Sequence, residues 1–197
     1  MNNKMRQEIF ALVEYCKIYN HDIEAFTFGE GVECPDLQSE KLDIGVECTS
    51  AVLQGEFEAI GKNSKINKID KLCCFVYFVD NATDSCRLLD IVNTKTIKLN
   101  GHYKRFGTNA LFIRVSSNFT GSKHFSSGKV GTFINILKNE SFCDKVKFNP
   151  IILSELDIND YSFCFVINTD DYTVVEHHVK RSLSKNEFSD ILGNGCL

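Results

Sequence analysis

The chain has 197 residues, a hydrophobic share of 43%, a charged share of 24% and a net charge of −4. That length suits a single domain over 1–197 with room for an ordinary core. No apolar run approaches the ~20 residues that cross a bilayer, and the opening residues lack a basic segment followed by an apolar one, so a cytoplasmic protein without a membrane partner is expected.

Residues 4–19 read as a helix, because Ile9, Leu12, Val13, Cys16 and Tyr19 recur at helical spacing. Ala25–Phe28 is strand-like and stops at the turn Gly29-Glu30-Gly31. Pro35–Glu40 is expected as a second strand, its proline at the first position, where a missing N–H does least harm. Leu42–Cys48 is the third and most apolar strand, and the spacing predicts a hairpin with the second. Residues 51–84 read as an insertion. Within it, Gln54–Ile60 has helical character, Gly61–Lys68 reads as an exposed loop and Leu72–Val79 as a buried segment. Residues 85–99 form a helix with Leu88, Ile91, Val92 and Leu99 on one face, stopped by Asn100-Gly101. Ala110–Val115 is a strong strand, Gly131–Lys138 a helix, and Pro150–Leu153 and Tyr161–Ile167 strands. Ser184-Lys185-Asn186-Glu187 fits a capping box opening a last helix through Leu192. This order is an α/β pattern.

Nine cysteines fall without any C-x-x-C pair, and several sit in apolar stretches, as in Cys73-Cys74 and Phe163-Cys164-Phe165. Reduced, buried thiols are expected, not a zinc site. The net acidity argues against a protein that wraps nucleic acid, since phosphate neutralisation supplies most of that affinity. Local basic stretches remain at Lys62–Lys71 and Lys95–Arg105.

The chemistry concentrates in Cys34–Thr49, CPDLQSEKLDIGVECT. If the second and third strands pair, Asp36 and Glu47 can meet at one end of a sheet. Converging carboxylates repel, and a divalent cation relieves the repulsion. A carboxylate in a run as apolar as IGVEC also needs a partner. This arrangement resembles the PD-(D/E)xK nuclease superfamily, and the phrase PD…IGVE-x-T is similar to a branch with threonine in the lysine place. The weaker echoes Lys95, Lys98 and Tyr103 extend the resemblance over residues 5–167.

The resemblance implies a restriction-endonuclease-like fold, a central mixed sheet flanked by helices. It also implies Mg²⁺- or Mn²⁺-dependent hydrolysis of phosphodiester bonds, in DNA, with a homodimer as a plausible assembly. It assigns metal binding to Asp36, Glu47 and the Cys48 carbonyl, with Glu8 on the first helix as a further ligand. Thr49 departs from the pattern, since threonine offers no ammonium to orient water or offset charge. Lys95 is the candidate replacement, because its helical phase puts it among Leu88, Val92 and Leu99, where snorkelling is the alternative explanation. Glu14 points nearly opposite the apolar face of its helix, where solvent is expected. The other reading of the chain is a non-catalytic, protein-binding factor on a degenerate nuclease fold.

Other motifs fail on spacing. His177 and His178 are adjacent, so on a strand they point to opposite faces. Gly121–Lys129 does not match a phosphate-binding loop, since Val130 stands where Ser or Thr is required. There is no HEXXH helix and no G-x-S-x-G elbow.

Overall fold

A computed structural model of the chain describes residues 3–31, 33–51, 85–115, 129–139, 147–156 and 161–181. The expected helix in 54–60, the apolar segment 72–79 and the last helix from 184 lie outside these residues, as does nearly all of the 51–84 insertion.

The elements in order are α1 (Asn3–Tyr19), a 3₁₀ turn (Ile23–Ala25), β1 (Thr27–Phe28), β2 (Leu37–Ser39), β3 (Ile44–Ser50) and α2 (Ser85–Asn100), then β4 (Thr108–Val115), α3 (Lys129–Asn139), β5 (Ile151–Leu156), β6 (Tyr161–Ile167) and β7 (Val174–Lys180). Seven strands form one mixed sheet whose spatial order is the chain order. β3–β4 and β4–β5 are parallel, and the other four pairings are antiparallel. The architecture is therefore α/β, a mixed sheet with helices on both faces. The hairpin expected at 35–48 is present, with Leu37 opposite Val46 and Ser39 opposite Ile44. No helix among the described residues is long and apolar enough to cross a membrane.

Strand alternation sorts the core into two layers. Leu111, Ile113, Leu153 and Phe165 meet Leu88, Val92, Leu99, Phe133 and Leu137 of α2 and α3. Val46, Ala110, Phe112 and Ile152 meet Ala11, Leu12, Tyr15 and Cys16 of α1 on the opposite face. Both parallel crossovers carry their helices to the same face, as crossovers of one hand moving one way across a sheet require. Among the described helices, α1 is alone on the other face. It is buried all round from Ile9 to Cys16, with Ile9 and Val13 covered by Met5, Ile23 and Phe28.

That burial corrects the expectation for Glu14, which is completely buried. Its carboxylate accepts from Arg114 Nη2 at 3.1 Å and from the hydroxyls of Ser154 and Ser162, both at 2.6 Å. Arg114 Nη1 also donates to Ser154 Oγ at 2.6 Å, and Arg181 Nη1 to Ser162 Oγ at 3.1 Å. A buried carboxylate survives in this layer because it is paired and fully hydrogen-bonded. β7 has no counterpart among the expected elements. Val175, Glu176, His178 and Lys180 are exposed and only Val179 is buried, so the strand carries little apolar signal. Among the described cysteines none is paired, and Cys16 and Cys164 are buried, as expected, whereas Cys86 is exposed.

Candidate active site

β3 has two free-standing chemical environments, one on each side of Cys48. Gly45 sets the first. A Cβ there would lie 2.6 Å from Phe106 and 2.7 Å from the Pro35 ring, so only glycine lets Pro35 rest on the strand. Pro35 resting there places Asp36 beside the stretch of β3 that β2 no longer covers. Asp36 Oδ2 accepts the Cys48 N–H at 2.8 Å. Ala51 N–H donates to the Arg114 carbonyl of β4, so odd-numbered peptide groups of β3 face β4 and even-numbered ones face β2. The Cys48 carbonyl therefore points to the same side as Asp36.

The second oxygen of Asp36 meets α1. Lys4 Nζ lies 3.1 Å from Asp36 Oδ1 and 3.2 Å from Glu8 Oε1, so one ammonium is clasped by two carboxylates. Burial raises the Glu8 pKa, the Lys4 hydrogen bond opposes that, and the nearby Asp36 charge adds to the rise. The Lys4 ammonium is held charged chiefly by its hydrogen bond to Asp36. A cleft of about 30 Å³ opens here between Lys4, Glu8, Cys48, Thr49 and Arg114, room for a water or two.

On the other face, Glu47 is 3% exposed, and its Oε1 accepts from Lys95 Nζ at 2.6 Å and Lys98 Nζ at 3.0 Å. The Tyr103 hydroxyl donates to Oε2. Burial alone would raise the Glu47 pKa, but Lys95, Tyr103 and Lys98 together lower it. Burial and the Glu47 charge push the Tyr103 phenol up, so it stays a donor. Lys98 also sits 4.6 Å from the centre of the Tyr103 ring.

The expected site residues are thus distributed as follows. Asp36 and Glu8 come together around the Lys4 ammonium, and the Cys48 N–H bonds Asp36. Glu47 and Lys95 pair on the α2 face. Lys95 is not merely snorkelling, since its ammonium ends on a buried carboxylate. Lys4 had a signal that was missed, its i,i+4 spacing from Glu8. So did Arg114, a charge inside the strand run ALFIRV, which needs a buried partner.

Asp36 and Glu8 fit a hard cation. Their oxygens already flank one positive centre, and the Cys48 carbonyl points to the Asp36 side of β3. Glu47 does not fit the same set as it stands, because both its oxygens are taken. Among the described residues no group of three or more His, Cys, Asp or Glu side chains gathers to hold a metal by itself. No family model matches the chain, and no curated protein or solved structure shows significant similarity to it.

Proposed function

We propose that this protein is a metal-dependent nuclease of the restriction-endonuclease-like fold, hydrolysing phosphodiester bonds in DNA. The observation that carries the reading is the clasp of one cation by Asp36 and Glu8 beside the Cys48 peptide, with Lys95 paired to Glu47 on the other face of the strand. Asp36, Glu8 and the Cys48 carbonyl would hold Mg²⁺ or Mn²⁺. The ion, when bound, would supply a Lewis acid for the phosphoryl oxygen and a more acidic water. Cys48 N–H fixes the Asp36 carboxylate, so its other oxygen keeps one aim. Lys95 would take the part of the family pattern's lysine, held by Glu47, which Lys98 and Tyr103 also bond. The DNA substrate and a paired, two-copy assembly rest on the resemblance in PD…IGVE-x-T.

The test is a paired assay. Asp36→Ala should remove both Mn²⁺ binding and cleavage. Lys95→Ala should keep metal binding and lose cleavage, since an ammonium that steadies developing charge is not a ligand. Cleavage retained in Lys95→Ala removes the lysine from the mechanism. A second reading has its own observation. Glu47 is saturated by three donors, an arrangement a purely structural ion pair would also have. Absence of cleavage on every DNA and RNA form, with Mg²⁺ or Mn²⁺, would favour a non-catalytic protein-binding factor.

A further inference from the structure

Lys4 sits in the first turn of α1, where the helix dipole disfavours a positive charge. Its side chain is 72% exposed, yet the ammonium folds back between Asp36 and Glu8, which are each 13% exposed. Without a cation there, two nearly buried carboxylates would face each other. We infer that Lys4 is a tethered counter-cation. It occupies the place of the divalent ion in the metal-free protein and swings into solvent when the ion binds. This inference rests on the proposed Asp36–Glu8 metal site and adds to it a competitor built into the chain.

Two physical points support the exchange. The lysine stem is exposed, so rotation about its own bonds frees the ammonium without moving α1 or β3. The ammonium end of the clasp is exposed, which weakens it, whereas a divalent ion with two carboxylates and a carbonyl is a stronger match. The tether makes the competition intramolecular, so it operates at any protein concentration. The metal affinity of the wild type is then reduced by the factor one plus the equilibrium constant of the Lys4 clasp. For an exposed pair that factor is about two to six.

The experiment is isothermal titration of Mn²⁺ into the full-length wild type, Lys4→Gln, Lys17→Gln and Asp36→Ala, with thermal unfolding of each protein with and without Mn²⁺. Lys4→Gln is expected to bind Mn²⁺ about two- to sixfold more tightly. It should melt lower than wild type without metal and recover with it. Lys17→Gln carries the same charge change ~20 Å along the helix and should bind like wild type. Equal tightening in both lysine variants would show a general field effect and overturn the inference. So would a Lys4→Gln affinity equal to or weaker than that of wild type. Binding by Lys4→Gln with a silent wild type would support it most directly. If Asp36→Ala binds like wild type, or if neither wild type nor Lys4→Gln binds, the metal site itself falls and the inference with it.

Discussion

Replacing Glu14 by alanine should be strongly destabilising. It removes the acceptor for Arg114, which is 5% exposed, and for the hydroxyls of Ser154 and Ser162, which are 0% exposed. The stranded guanidinium dominates the loss, because a buried charge without its partner costs about 3–5 kcal/mol. Set against a typical domain stability of ~5–15 kcal/mol, that is a large share. At about 2–4 °C per kcal/mol for a chain of this size, the midpoint should fall by roughly 6–20 °C. Thermal unfolding reads the midpoint and urea unfolding the free-energy loss, both followed by far-UV circular dichroism since the chain has no tryptophan. The double variant Glu14→Met/Arg114→Met should recover most of the loss, since no charge remains buried. A loss below about 1 kcal/mol in Glu14→Ala, or a double variant as weak as the sum of the singles, would refute the reasoning.

Gly45→Ala should cost about 1–3 kcal/mol by overpacking against Phe106 and Pro35; because Pro35 carries Asp36, Mn²⁺ affinity measured by titration should fall with it. Thr96 is 5% exposed and its hydroxyl has no partner, the one such buried side-chain atom among the described residues, so Thr96→Val should gain about 1 kcal/mol in urea unfolding. Glu47 has its pKa lowered by folding, so its contribution is complete above the ordinary carboxylate value of ~4.3 and is lost as pH falls through the depressed one. Glu47→Gln should accordingly be less stable at neutral pH and show a flatter decline below about pH 4 in a series of urea midpoints.

Much of this molecule could be read from residue order. The apolar runs at 42–48, 110–115 and 161–167 became buried strands with small shifts of boundary, because long-range packing adds end residues that are not themselves apolar, such as Thr108 and Asn109. Lys95 stood out because a charge amid Leu88, Val92 and Leu99 demands a partner, and Glu47 is that partner. Two things were hidden. Helical periodicity assigned Glu14 to solvent, yet α1 is covered on every side, and no pattern within one helix reveals what packs on its second face. β7 alternates poorly because most of it faces water, so its existence is decided by pairing with β6. The clasp of Asp36 and Glu8 was legible only in part, since the spacing brought Asp36 toward β3 but gave no sign of the Lys4 ammonium between them.

The one-way march of the sheet has a consequence for how the chain could be divided. Glu8, Asp36, Glu47 and Lys4 all precede residue 52, while Lys95, Lys98 and Tyr103 all follow residue 84. The parallel seam between β3 and β4, seven residue pairs long from Ile44–Thr108 to Ser50–Arg114, is where the two groups join. Two polypeptides severed between β3 and α2 should therefore find one another through that seam. The acids would come from one fragment and the Lys95 ammonium from the other, making reassembly itself the condition for a complete site.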